Sequence, residues 1–293
     1  MESLKLGLVG VGLMNGSLAR DVKTLYKNVE VYGLSRKQST LDRAKALGII
    51  DHAAEMKTLA EMDIVSVAIP VEATASLLPK ILDHIGSDTL VFDMGSTKEA
   101  ICTSVATHSK RNQFLACHPI AGTEFSGPDA AVSRLYEGKV NMLCEAEKTR
   151  PDLLSKAQQL FSDLGMVLRH IDPLEHDRQI AYVSHLSHIT SFMLGKTVME
   201  KEQNDQNIFD MAGSGFSSTV RLAKSSPEMW VPIFKQNKAN VLETLEEYIT
   251  NLNQFKDMMQ TDAYETMTNQ MKEINNIKHI LKPDKPHIHN GKQ

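Results

Sequence analysis

His118 is the residue in this chain best placed, on sequence alone, to move a proton. It follows the apolar run Phe114-Leu115-Ala116-Cys117, which reads as a buried strand, and it precedes Pro119-Ile120-Ala121-Gly122-Thr123-Glu124. Proline has no N–H for a ladder, so pairing is expected to stop there, and Gly122 allows a sharp turn. A histidine is thereby held at a strand's carboxyl end, where open α/β sheets place their ligands, with Glu124 nearby to orient or repel. Taken alone, such a histidine is more often an ordinary loop residue, so the case depends on its surroundings. Cys117 is no partner for it, because neighbours on a strand point to opposite faces.

Two later stretches carry further polar chemistry. Counted at about 100° per residue, the segment 175–200 puts Asp177, Ala181, Ser184, His185, His188 and Phe192 on one side. Ile180, Tyr182, Val183, Leu186, Ile189 and Met193 cover most of the other. The first face is small and polar yet lacks the Lys and Glu of a solvent face, so it is expected to look into a polar cleft. His185 and His188 make half of a metal site, but no suitable partner pair accompanies them and no metal is expected. Downstream, Gly213-Ser214-Gly215 makes a turn, and Ser218 or Thr219 can cap a short helix carrying Arg221. An arginine just past a glycine turn suits a carboxylate; a surface ion pair is the plainer use.

The elements that must position these groups begin at the N-terminus. Leu4–Val9 reads as a buried strand, followed by Gly10-Val11-Gly12-Leu13-Met14-Asn15-Gly16 and a helical pattern. Strand, glycine turn and helix in that order is the context of a dinucleotide fingerprint. Gly10 permits the turn and Gly12 lets the backbone approach a pyrophosphate at a helix N-terminus. Asn15 stands at the third fingerprint position and is expected to hydrogen-bond near the phosphates. The second strand, Val29–Leu34, ends in Ser35-Arg36-Lys37, where an NAD-selective site would carry an acid. Arg36 can grip a 2′-phosphate, so NADP is favoured over NAD. Pro70 closes the strand beginning at Ile64. The candidate cofactor contacts are Gly10, Gly12, Leu13, Met14, Asn15, Ser35, Arg36, Lys37 and Pro70. Leu90–Asp93 forms another strand and leads to Gly95-Ser96, where Ser96 sits beside the nicotinamide position or caps the next helix. Strands follow at 141–144 and Val167–His170, on either side of a helix from Pro151.

A chain of 293 residues suggests two domains, and 42% apolar with 23% charged residues is ordinary for a soluble protein. The net charge of −4 lends nothing to a nucleic-acid or membrane role. Three cysteines without paired spacing point to reduced thiols and a cytoplasmic setting. Beyond 175 the pattern is helical, with an apolar stripe through Phe234, Val241, Leu245, Tyr248, Leu252 and Phe255 and then 267–280, of a length that packs against another helix or a second subunit.

With these residues together, the chain resembles the prephenate dehydrogenase family, which includes arogenate and cyclohexadienyl dehydrogenases. The resemblance runs from about Leu4 to Ile280. It rests on Gly10-x-Gly12, Asp93-x-Gly95-Ser96-x-Lys98, His118-Pro-Ile-Ala-Gly-Thr-Glu124, Glu175-His176-Asp177, Ser184-His-Leu-Ser-His188, and Arg221 with Trp230. It implies an α/β Rossmann-type N-terminal domain with a mostly parallel sheet, followed by an all-α C-terminal dimerisation domain. The expected boundaries are 1–171 and 172–281, with a disordered tail at 282–293. It further implies NAD(P)-dependent oxidative decarboxylation, with His118 catalytic and Arg221 on the substrate's ring carboxylate. Ser96, Glu124, Ser184, His185 and His188 would line the pocket, and His185 or His188 is expected to serve as a protonated clamp, with Glu124 keeping a histidine charged or restricting the entry of water. Asn15, Ser35 and Ser214 depart from the family pattern. Prephenate is favoured over arogenate, whose ammonium Asp129 could pair. Other readings are a 3-hydroxyacid dehydrogenase or imine reductase, which do not explain His118, Arg221 and the histidine helix together, and a non-catalytic NADP-binding sensor.

Overall fold

A computed structural model describes residues 4–202 and 207–281; the tail expected at 282–293 lies outside the described residues. Eight strands form one sheet: β1 (Leu4–Val9), β2 (Val29–Leu34), β3 (His52–Ala53), β4 (Ile64–Val67), β5 (Leu90–Asp93), β6 (Phe114–Pro119), β7 (Val140–Cys144) and β8 (Val167–His170). Their order is β3-β2-β1-β4-β5-β6-β7-β8. All neighbours are parallel except β6 and β7. Residues of β4 and β5 are buried throughout, as continuous apolar strands are when both faces of a sheet are covered.

Helices α1 (Leu13–Leu25), α2 (Gln38–Ala46) and α5 (Pro151–Asp163) pack one face of the sheet through Leu18, Val22, Ala44, Leu160 and Phe161. On the other face, α3 (Val71–His84) and α4 (Glu99–Ser104) contribute Leu78, Ile81, Leu82 and Ile101. The helical part follows as α6 (Pro173–Ile180), a π-helical turn (Ala181–His185), α7 (Leu186–Glu202), α8 (Ser214–Thr219), α9 (Pro227–Gln236), α10 (Lys238–Gln260), α11 (Tyr264–Ile274) and α12 (Ile277–Ile280). Trp230 and Ile233 of α9 join the core on the α3 side, so the first compact unit runs past 171 to Val241. A second unit begins at Leu242. Its helices expose Leu252, Phe255, Met259, Met271, Ile274 and Ile277. Among the described residues no helix is long and apolar enough to cross a membrane.

Two expectations about elements are corrected. Strand β6 does not stop at His118: it continues to Pro119 along β7, with His118 opposite Met142, Pro119 opposite Asn141, and Ile120 N–H bonded to the Val140 carbonyl at 2.7 Å. Pro119 shares parity with Cys117, whose N–H points toward β5, so its missing donor falls on a side where no ladder runs. Pairing with β5 covers only Phe114 and Leu115, and the sheet opens beyond them. The segment 175–200 is likewise not one regular helix, because the π turn at Ala181–His185 interrupts it.

Candidate active site

The first βα turn is built around tight backbone contacts. Gly10 has φ +84°, and a Cβ there would lie 2.5 Å from the Ala68 carbonyl oxygen, so no larger residue fits. Its N–H donates to Leu34 O at 2.9 Å, which places the end of β2 beside the turn. Asn15 is fully buried. Its amide nitrogen lies 2.7 Å from Gly10 O and 3.2 Å from Val9 O and Ser66 O, while its Oδ1 accepts from Ser66 Oγ at 2.6 Å. The side chain therefore braces the turn against β4 and does not reach out to phosphates as expected. The close packing usually given by a third glycine falls to Gly16, where an added Cβ would meet the Ala131 Cβ at 2.7 Å. Leu13 is also turned inward, Met14 is part-buried against the core, and the Met14 carbonyl accepts from Tyr136. Ser35 Oγ accepts from the Lys37 N–H, Arg36 and Lys37 are exposed, and Pro70 precedes α3.

At the carboxyl end of β5, Asp93 and Lys98 form a fully buried ion pair. Lys98 Nζ also donates to Cys117 O at 2.6 Å, and Asp93 Oδ1 accepts from Cys117 N at 3.1 Å. These bonds clamp the strand residue directly before His118. His118 Nδ1 lies 2.8 Å from His176 Nε2, and His176 Nδ1 lies 2.8 Å from Asp177 Oδ1. Asp177 in turn accepts from Lys98 N at 2.7 Å and Glu99 N at 3.0 Å, so this carboxylate of α6 caps the first turn of α4. Ser96, half-buried, does not take the capping role allowed for it, and its hydroxyl has no partner among the described residues. His118 Nε2 also lacks a partner among the described residues and is not sealed from solvent. Burial, then the neighbouring His176, Lys98 and His185, hold the His118 pKa well below the ordinary imidazole value, so the ring is neutral at pH 7.

Helix α6 and the π turn carry the inward polar face. Asp177, Ala181 and His185 are buried and Ser184, His188 and Phe192 part-buried, whereas Tyr182, Val183 and Met193 are exposed. Asn237 Nδ2 donates to Asp177 O at 2.7 Å and to His185 Nδ1 at 3.2 Å. The His185 Nε2 and Trp230 Nε1 atoms are buried without partners. His188 stacks on Trp230 with ring centroids 3.4 Å apart, and its Nδ1 bonds to Ser184 O at 3.0 Å. Burial lowers the His185 pKa to about 4 and lowers that of His188 as well. Neither ring is the protonated clamp expected from sequence. Arg221 begins a 3₁₀ turn (Arg221–Lys224), not a helix capped by Ser218 or Thr219, whose hydroxyls donate back to Gly215 O. Its guanidinium meets Glu124 at 3.3 Å, so among the described residues Glu124 pairs with this arginine and with no histidine. Ser214 is exposed at the start of α8. Asp129 pairs with Arg43 of α2 on the surface.

A family model for the prephenate dehydrogenase nucleotide-binding domain matches residues 18–170, and one for the prephenate dehydrogenase dimerization domain matches residues 172–273. The chain belongs to the prephenate dehydrogenase family. A cyclohexadienyl dehydrogenase of Zymomonas mobilis is 24% identical over 95% of this chain and 96% of its own. The structure of the Aquifex aeolicus prephenate dehydrogenase in complex with hydroxyphenyl propionate and NAD+ superposes with a TM-score of 0.86 at 31% identity, covering 96% of this chain and 98% of that one. A Synechocystis arogenate dehydrogenase gives 0.75 at 26% identity, covering 94% and 99%. The protein is thus an NAD(P)-dependent oxidoreductase with a Rossmann-type domain and a helical C-terminal part.

The residues of this prephenate dehydrogenase family member fit the nucleotide. Gly12 stands at the N-terminus of α1 without a side-chain cap, and a Cβ added there would touch nothing within 4 Å. The backbone at Gly12 therefore borders open space at the start of α1, of the kind a pyrophosphate fills. His176, Asp177, Asn237 and Trp230 were given no role from sequence, although Glu175-His176-Asp177 and Trp230 stood in the motifs quoted above. The signal was the triplet itself: adjacent histidine and aspartate leading into the small, polar helix face.

Proposed function

We propose that this protein oxidises and decarboxylates prephenate to 4-hydroxyphenylpyruvate and CO2, with His118 as the proton acceptor and Arg221 binding the ring carboxylate. The observation that carries the reading is the geometry of His118, with its Nδ1 2.8 Å from His176 Nε2 and its Nε2 without a partner among the described residues, in buried surroundings that lower its pKa. Bound NAD(P)+ supplies the hydride acceptor. As hydride leaves the carbinol carbon, His118 takes the hydroxyl proton; loss of CO2 then aromatises the ring and makes the reaction irreversible. Ser96, whose hydroxyl has no partner among the described residues, would hold the same substrate oxygen. Glu124 keeps the Arg221 fork at the loop leaving β6, and a substrate carboxylate would exchange into that pair. His185 and Trp230 offer buried N–H groups, and Ser184 and His188 complete the wall. His118→Asn is expected to lose about 10²- to 10⁴-fold in kcat while substrate binding survives. Near-native turnover would defeat the assignment. Arg221→Ala is expected to raise KM for prephenate about tenfold or more, with a smaller change in kcat; an unchanged KM would exclude the clamp.

Prephenate is favoured over arogenate because two carboxylates other than Glu124 are engaged: Asp177 with α4 and His176, and Asp129 with Arg43. The ratio of kcat/KM for the two substrates tests this, and a preference for arogenate would reverse it. NADP is the favoured cofactor, since Arg36 is exposed beside the turn and has no ion pair among the described residues. Arg36→Ala is expected to lower kcat/KM for NADP about tenfold and leave that for NAD unchanged. The exposed apolar helix faces support a homodimer.

A further inference from the structure

We propose that His176 and Asp177 set the tautomer of His118 and receive the positive charge it gains in turnover, so that the working base is the whole hydrogen-bonded chain. The proposal rests on the reading of His118 as proton acceptor and adds two positioning residues to it. The argument starts at the buried end. Asp177 Oδ1 lies 2.8 Å from His176 Nδ1, and a carboxylate can only accept, so His176 carries its proton on Nδ1. With this single proton on its ring, His176 has a bare Nε2, 2.8 Å from His118 Nδ1. His118 must therefore donate from Nδ1, which leaves its Nε2 lone pair free. That is the only neutral tautomer able to take a proton at the atom without a protein partner.

The same geometry gives the proton somewhere to go. When the substrate O–H bond breaks and hydride passes to the bound nicotinamide, the proton bonds to His118 Nε2. The proton on His118 Nδ1 passes to His176 Nε2, and the His176 Nδ1 proton stays against Asp177. His118 is neutral again and the cation rests on His176. After product leaves, the transfers reverse and the proton departs through His118 Nε2. The groups facing His118 make this placement favourable. Burial of the His118 ring disfavours a cation on it most, and Lys98, from the turn before α4, adds to this. The Lys98 charge is met by Asp93, so it is not available to stabilise anything else. The anion in contact with the chain is Asp177, on the far side of His176, anchored by the N–H groups of Lys98 and Glu99.

The test compares the kcat and kcat/KM pH profiles of the native enzyme with Asp177→Asn, His176→Gln, His176→Leu and His118→Asn, each first checked for NADP+ binding by fluorescence. In Asp177→Asn, kcat is expected to fall about a hundredfold with KM little changed. The acidic limb of kcat/KM should also move about one pH unit lower, because the cation has lost its counter-charge. Glutamine at 176 can accept from His118 Nδ1 but cannot take its proton, so His176→Gln should turn over faster than His176→Leu and slower than native. A merely structural role predicts losses without the limb shift and equal rates for the two 176 variants; that result overturns the proposal. If Asp177→Asn does not fold, the ordering of the 176 variants decides. Native turnover in Asp177→Asn and His176→Leu, with His118→Asn inactive, sinks the relay alone; an active His118→Asn sinks the base assignment beneath it.

Discussion

Asn15 occupies the place of the third fingerprint glycine, and its amide is engaged with the carbonyls of Val9, Gly10 and Ser66 and with the Ser66 hydroxyl. Replacing it by leucine would strand several of these polar groups in a buried site, each at about 1–3 kcal/mol. Asn15→Leu is therefore expected to lose about 3 kcal/mol in urea unfolding, and a loss near zero would mean the turn does not depend on it. His185 makes a second prediction at this scale, from its folded pKa of about 4. A histidine whose pKa is depressed by folding contributes no penalty above its unfolded value near 6.5. Below that, the unfolded chain binds the proton first, so stability falls as pH drops from about 6.5 toward 4. This ring should account for about 2 kcal/mol of lost stability between pH 7 and pH 5. His185→Gln should flatten that part of the urea-derived stability profile, whatever it does to stability at pH 7; an unchanged slope would mean the ring is not held neutral.

At the scale of elements, the site depends on two irregularities. Strand β6 leaves β5 after Leu115 but stays with β7, so His118 remains on a paired strand beyond the point where the β5 ladder ends. The π turn between α6 and α7 carries Ser184 and His185 together on the inward side. The glycine turn adds a packing constraint, because Gly16 of α1 sits where a Cβ would press on Ala131, in the segment that follows the His118 loop. Gly16→Ala is expected to destabilise by about 1–3 kcal/mol through overpacking. Ala131→Gly should recover a good part of that loss in the double variant, as measured by thermal unfolding. Equal losses in the presence and absence of Ala131→Gly would show that the clash lies elsewhere.

For the whole molecule, the sheet and the first helices after it form one body. Asp177 caps α4, Asn237 bonds to the Asp177 carbonyl, and Gln236 of α9 bonds to Thr97 beside Ser96. The later helices present a different situation. Leu252, Phe255 and Met259 of α10 recur three and four residues apart and are all exposed, which suits burial by a second copy of the chain. Leu252→Glu with Phe255→Glu should halve the mass measured by analytical ultracentrifugation at micromolar concentration while the far-UV circular dichroism stays native. A native mass in that variant would place the dimer contact on another face.

The strands, the glycine turn and the polar helix face were legible in the sequence because each depends on local periodicity and on what glycine and proline permit. His118, Arg221 and Glu124 were legible as candidates for the same reason: unusual residue types at element ends. What the local pattern could not convey was which polar groups would meet. Asn15 faces inward because β4 brings Ser66 to it, 51 residues away. Glu124 meets Arg221 across 97 residues, and Asp129 is taken by Arg43. The protonation of His185 and His188 is set by burial that only packing creates. The chemistry available to this chain is thus written in its residue types and spacing. The pairing of His118 with His176 and Asp177, and hence which imidazole nitrogen is left free, was decided by tertiary structure, because hydrogen bonds form between neighbours in space.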